Sequence, residues 1–174
     1  MSRIVYQPGD FVVVKVEGVV GNLISFGEWL NGNGFTDYDH AEIYVGGGQT
    51  LGAYPGGARL RPVPPAGLPQ LWSTGRIELT ADERSKIVSA ALACQGIPYS
   101  PEDYFALAAH RLHIPAPGLK DYIADSGSMI CSQLVDFCYD CAGVRLFSDG
   151  RWAGYVTPAD LAYRISHAEG ITRG

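Results

Sequence analysis

Short runs of β-branched and aromatic residues, broken by glycine and proline, dominate the first eighty residues of the chain. Residues 11–16 have the sequence FVVVKV, which is typical of a buried strand. Three more runs follow, separated by turns rich in glycine and proline, at residues 38–45, 49–54 and 58–63. These runs predict an antiparallel meander, and residues 76–79 predict one further strand.

Helical periodicity dominates the second half. Thr80 and Glu83 form a capping-box pattern ahead of an apolar stripe that ends at Gly96. Further helices are predicted over residues 19–29, from Ser100 to about His113, from about Cys131 to Gly143, and from Thr157 to about His167. We therefore expect a single α+β domain over residues 1–174, with an antiparallel meander sheet packed against helices.

Composition narrows the class of protein. The chain has 174 residues, of which 47% are hydrophobic and 18% charged, as in a globular domain. A net charge of -5 argues against a nucleic-acid-binding surface. We find neither an apolar run of about 18 residues nor the apolar core of a signal peptide. We therefore expect no transmembrane segment and a cytoplasmic location, with export by another route left open.

Three of the four cysteines fall on one predicted helix, as Cys131, Cys138 and Cys141. Such spacing does not build a disulfide framework, so a reducing compartment is expected. Cys138 and Cys141 have the spacing of a redox or zinc pair. No second pair and no βαβ pattern accompany them, so we expect no metal and no cofactor.

Cys131 falls at or near the first turn of its helix. Unpaired backbone N–H groups and the helix dipole favour negative charge there, which suits a nucleophilic thiolate. The alternative is a small apolar thiol that fills a gap in the core.

Among the four histidines, His40 is the candidate partner for Cys131. Strand alternation places it on one face with Glu42 and Tyr44. His110, His113 and His167 are expected at the surface or in local packing. A strand histidine can itself be purely structural. Together with a distant helix-start cysteine, it suggests a Cys–His couple that meets only in the fold.

Several short motifs together resemble one family. They are PGDFVV at 8–13, DHAEIYVG at 39–46, GIPYS at 96–100, ICSQLV at 130–135 and VTPADL at 156–161. Their order is similar to that of the NlpC-type cysteine peptidase superfamily, and more closely its circularly permuted, papain-like, YiiX-like branch. In that branch the histidine strand precedes the cysteine helix.

The resemblance implies roles for particular residues. Cys131 would be the nucleophile and His40 the general base of a thiol hydrolase that cleaves an amide, peptide or isopeptide bond. The backbone N–H of Cys131 would help to bind the oxyanion. Tyr99 would donate its hydroxyl there, or else be a packed tyrosine after a turn. The partner would be a peptide, a peptidoglycan-like molecule or another acyl substrate.

One position departs from the family pattern. The family has a polar residue on the strand after the histidine, which orients the imidazole, and that place falls on Gly52. We predict that Glu42 orients His40 instead, although it could be a solvated carboxylate. Gln49 could substitute after a register slip, or the site could be a weaker dyad or inactive.

Two other functions stay open. One is an acyltransferase or lipid hydrolase of the lecithin:retinol acyltransferase kind, in which residues 19–30 would contact lipid rather than the core. The other is a catalytically dead binding or structural protein that keeps the fold.

Overall fold

Five short strands pair edge to edge in an antiparallel sheet. The computed structural model describes residues 5–15, 38–54, 57–96, 130–148, 156–167 and 171–173. Within them the strands, in chain order, are β1 (Phe11–Val14), β2 (His40–Gly46), β3 (Gln49–Tyr54), β4 (Gly57–Pro62) and β5 (Gln70–Trp72). Their order across the sheet is β4-β3-β2-β1-β5, so the predicted meander is confirmed and β5 adds to its β1 edge.

Strand alternation gives the sheet two different faces. Val13 of β1 lies opposite Ala41 of β2, and these buried residues belong to the main apolar core. On the other face Val14 lies opposite His40, and Glu42 lies opposite Gly52 of β3. The polar side chains of β2 and β3 therefore collect on the face that does not carry the main core.

Three helices accompany the sheet within the described residues, namely α1 (Ala81–Ala93), α2 (Ile130–Cys141) and α3 (Pro158–Ser166). The predicted capping box at α1 is confirmed: Thr80 Oγ1 accepts from the Glu83 N–H at 3.2 Å, and Glu83 Oε2 accepts from the Thr80 N–H at 2.7 Å. Thr157 caps α3 in the same way. The longest described helix has 13 residues, too few to cross a bilayer.

Helix α2 is anchored to the rest of the molecule along its length. It packs on α1 and on strands β2 and β3. Near its end, the Tyr139 hydroxyl donates to the Gly9 carbonyl at 2.8 Å, and the Tyr139 ring meets Phe11 edge to face. At its start, the Ser132 hydroxyl donates to the Val156 carbonyl at 2.6 Å. These contacts fix where the first turn of α2 lies.

The predicted strand over residues 76–79 is wrong. Backbone N–H groups of Arg76 and Ile77 both donate to the Ser73 carbonyl, which makes a turn, and Gly75 adopts a φ of 69°. The strand lies earlier, at Gln70–Trp72, where it pairs with β1. A small ribbon of β6 (Val144–Arg145) and β7 (Thr172–Arg173) was not expected. The helices predicted over residues 19–29 and 100–113 lie outside the described residues.

Candidate active site

His40 and Glu42 lie two residues apart on β2 and share the polar face of the sheet, as the alternation predicted. Both are buried, with 5% and 4% of their surface exposed. His40 Nε2 lies 3.3 Å from Glu42 Oε1. A carboxylate therefore faces one nitrogen of the imidazole.

Two hydroxyls from β3 fix the Glu42 carboxylate. Thr50 Oγ1 donates to Oε2 at 2.5 Å, and the Tyr54 hydroxyl donates to Oε1. Burial raises the pKa of Glu42, but the hydrogen bond and charge of His40, followed by the two hydroxyls, outweigh it. The pKa of Glu42 is accordingly lowered, which keeps the group ionised beside the imidazole.

Gly52 lies directly opposite Glu42 on β3. A Cβ atom at this position would lie 3.0 Å from His40 Nε2 and 3.0 Å from Glu42 Cγ. The space that a β3 side chain would need is thus occupied by the Glu42 side chain and the imidazole. The absence of a side chain at Gly52 makes room for a carboxylate from β2.

Cys131 reaches His40 from the first turn of α2. Cys131 and the imidazole interact electrostatically, and this interaction raises the pKa of His40. His40 Nε2 faces Glu42 Oε1 but has no partner of full hydrogen-bond geometry among the described residues. His40 therefore has two acidic neighbours, Cys131 and Glu42, and both raise its pKa.

The surroundings of His40 favour its protonated form. Burial lowers its pKa, but the negative charge and hydrogen bond of Cys131, and then those of Glu42, raise it to about 10. This balance favours the imidazolium form of His40, which lies near a cysteine in the first turn of a helix. A positive charge near a cysteine is a common feature of sites in which the thiol is a nucleophile.

The other cysteines have no such environment. Burial raises the pKa of Cys138, and a hydrogen bond to Cys94 and the charges of Cys94 and Cys141 raise it further. Burial also raises the pKa of Cys141, to about 12. Within the described segments, no cluster of three or more His, Cys, Asp or Glu residues could hold a metal ion.

Three residues beside the site were not singled out from the sequence. The Tyr54 ring lies 4.6 Å from the His40 ring, centroid to centroid. The guanidinium groups of Arg59 and Arg61, on β4, lie over the Tyr54 ring at 4.9 and 4.8 Å. Alternation along β3 and β4 was the available signal, because Thr50, Gly52 and Tyr54 follow one another on the Glu42 face.

The remaining candidates are placed as follows. Tyr99, His110, His113 and the 19–30 segment lie outside the described residues. His167 is exposed at the end of α3, where it stacks on Tyr163, as expected for a surface histidine. Gln49 is exposed at the start of β3, and no register slip brings it to His40, because Gly52 lies opposite Glu42.

Comparison of the chain with family models, with curated proteins and with solved structures finds no match. The geometry of the Cys131–His40–Glu42 cluster is therefore the basis for any assignment of function.

Proposed function

We propose that this protein is a thiol hydrolase that cleaves an amide, peptide or isopeptide bond through Cys131 and His40. The observation that carries the proposal is that Cys131, in the first turn of α2, lies within electrostatic reach of the buried His40 imidazole, whose Nε2 faces Glu42. The two residues are 91 positions apart in sequence and come near each other only in the fold. A nucleophile in contact with a base, and the base in contact with a third polar group, is the arrangement used in covalent catalysis.

The first half of the reaction forms a thioester. The His40 imidazole takes the thiol proton, and the thiolate attacks the carbonyl carbon to form the carbon–sulfur bond. The developing oxyanion lies near the first turn of α2, where backbone N–H groups such as that of Cys131 lack helical acceptors. The carbon–nitrogen bond then breaks, and the imidazolium gives its proton to the leaving amine.

The second half releases the acyl group. The neutral imidazole takes a proton from a water molecule, whose oxygen attacks the thioester carbon. The carbon–sulfur bond breaks and the acid departs. The proton returns through His40 to the sulfur, so the enzyme ends in its starting state and one water is consumed for each bond cleaved.

In this proposal Glu42 is the residue that orients His40. Its Oε1 lies 3.3 Å from Nε2, and Thr50 and Tyr54 hold the carboxylate in place. A carboxylate in this position holds the imidazole in one orientation and stabilises the imidazolium. Gly52 lies opposite Glu42 and has no side chain, so the Glu42 carboxylate fills the space beside the imidazole. The lack of a polar side chain on β3 is therefore not an argument for an inactive site.

The order of the parts supports a relationship to the circularly permuted, papain-like branch of the NlpC-type superfamily. The histidine strand β2 comes before the cysteine helix α2, and the two pack together. An antiparallel meander that carries the histidine and a helix that begins at the cysteine are the two elements that the resemblance requires.

A burst experiment with p-nitrophenyl acetate tests the proposal. We expect release of about one equivalent of nitrophenolate per chain near pH 7, with one acetyl group on Cys131 found by peptide mass mapping. Cys131→Ala should abolish both signals. His40→Gln should slow the burst by at least about a hundredfold, because no base then takes the thiol proton.

Cys141→Ser is the matched control, since Cys141 is more exposed than the buried Cys131 but has no histidine partner among the described residues. It should keep the burst. Acetylation on Cys141 rather than Cys131, or an unchanged burst rate in His40→Gln, would refute the proposed hydrolase.

A further inference from the structure

The outer rim of the polar sheet face carries two exposed arginines. Arg59 and Arg61 alternate along β4, the edge strand, and lie opposite Gly52 and Thr50 of β3. Register therefore places both guanidinium groups on the face that carries His40 and Glu42.

The Tyr54 ring lies close to the His40 imidazole and to the guanidinium groups of Arg59 and Arg61, so its contacts limit how far apart they are. The Tyr54 ring centroid lies 4.6 Å from that of His40. The two guanidinium carbons lie 4.9 and 4.8 Å from the same Tyr54 centroid. Both positive charges are therefore roughly 10 Å or less from the imidazole, which is comparable to the screening length of about 8 Å at physiological salt, so their effect there should be stronger at low salt.

No carboxylate neutralises this pair within the part of the chain that the structure describes. Neither guanidinium forms an ion pair there, whereas Arg84 and Arg173 each do. Glu42 is the acidic group on the same face, and its two oxygens already receive hydrogen bonds from Thr50 and Tyr54. In a chain with a net charge of -5, two like charges lie beside one ring, and neither has an acidic ion-pair partner among the described residues.

We propose that Arg59 and Arg61 bind a carboxylate of the substrate, so that the hydrolase acts on acidic peptides or amides. The inference rests on the proposed function and names its substrate class. The planar guanidinium can donate two parallel N–H hydrogen bonds to a carboxylate. Packing against the Tyr54 ring holds both guanidinium groups in position. An acidic group near the scissile bond would then be held while its neighbouring carbonyl lies at Cys131.

Two alkylating reagents of nearly the same size test this inference. Iodoacetate carries a carboxylate and iodoacetamide is neutral, and both alkylate a thiolate. The quantity measured is the ratio of their second-order rates at Cys131, followed by peptide mass mapping. We expect Arg59→Gln/Arg61→Gln to lower this ratio by about threefold or more at low salt, because two positive charges on the sheet face of His40 are removed. Raising the salt concentration should lower the wild-type ratio towards that of the double variant.

Two further variants separate charge from packing. Arg59→Lys/Arg61→Lys keeps both charges and should retain most of the wild-type ratio. Arg76→Gln removes an exposed arginine from the turn after β5, at the opposite edge of the sheet, and should leave the ratio unchanged. A loss of both rates in the same proportion would indicate a packing role and overturn the proposal.

The outcomes also separate this inference from the proposed function. An unchanged ratio in Arg59→Gln/Arg61→Gln would contradict the acidic-substrate inference even if Cys131 reacts fast. A Cys131 that reacts no faster than a free thiol would contradict the hydrolase, and the ratio would still report whether the arginines attract an anion.

Discussion

Among the carboxylates that the described residues bury, Asp10 and Glu42 have different surroundings. Asp10 precedes β1 and is fully buried. Its Oδ1 accepts from Arg84 Nη1 at 2.7 Å, while its Oδ2 accepts from the Gln7 N–H at 2.9 Å and from Thr74 Oγ1 at 2.8 Å. Arg84 also donates to the Pro8 carbonyl at 2.9 Å. Asp10 thereby ties three segments of the chain together.

Glu42 has a partner that can change its protonation state. His40 contacts both Glu42 and Cys131, and its Nε2 lacks a hydrogen bond among the described residues. Arginine, in contrast, stays protonated at any physiological pH, so the Asp10 cluster cannot transfer protons. Burial of a charge alone does not indicate a functional site. A buried titratable group beside a cysteine is the better candidate, and the Asp10 cluster has no such group among the described residues.

The largest effect that we predict falls on the Asp10 cluster. Asp10→Asn should lower the free energy of unfolding by about 3 kcal/mol, because it breaks a buried ion pair whose carboxylate is fully buried. Denaturant titration measures this change. Alkylation of Cys131 by iodoacetamide in the folded variant should keep the wild-type rate, and a slowed rate would contradict the separation of the two clusters.

Next in size is the effect of a methyl group at Gly52. Gly52→Ala should cost about 2 kcal/mol of stability, because the new Cβ would lie 3.0 Å from both His40 Nε2 and Glu42 Cγ. Gly67→Ala is the matched control, since a Cβ there has nothing within 4 Å. Thermal melts of both variants measure the difference. Equal stability of the two variants would mean that the space beside Glu42 is not filled as described.

The pH dependence of stability should reveal the charged His40. Its pKa in the folded state is raised from 6.5 to about 10, so the protonated imidazole stabilises the fold fully below about pH 6.5. This contribution is lost as the pH rises towards 10. The difference in unfolding free energy between wild type and His40→Gln should therefore shrink over that window, by on the order of 1 kcal/mol. A difference that grows with pH would contradict a charged His40.

The smallest predicted effect concerns Glu42. Glu42→Gln should slow alkylation of Cys131 by iodoacetamide about fivefold near pH 6, because the imidazolium loses the carboxylate that stabilises it. Near pH 10 the rates of variant and wild type should converge, since the thiolate forms there without the help of His40. A purely structural role for Glu42 would instead lower the rate by the same factor at both pH values.

Local patterns predicted much of the framework that holds the site. Alternation over residues 38–45 placed His40 and Glu42 on one face, and the capping residues Thr80 and Thr157 marked the starts of α1 and α3. Each of these predictions depends on residues close together in sequence. Strand β5 depends instead on pairing with β1, some sixty residues away, and was placed wrongly for that reason.

The contacts of the Glu42 carboxylate could not be predicted from the sequence. Thr50 and Tyr54 contact it only because the turn at Gly46–Gly48, with its register shift, sets Gly52 opposite Glu42. The approach of Cys131 to His40 depends on how α2 packs on the sheet. The sequence identified Cys131 and His40 as candidate partners, and only the tertiary packing brings them near each other.

The rate of Cys131 alkylation by iodoacetamide as a function of pH, in wild type and in His40→Gln, tests the Cys–His couple most directly. Peptide mapping follows Cys141 in the same samples as an internal reference without a histidine partner. The account predicts that Cys131 reacts near pH 6 at least about tenfold faster than a free thiol, and that His40→Gln removes this excess. A rate at Cys131 that follows the free-thiol curve in both proteins would contradict it.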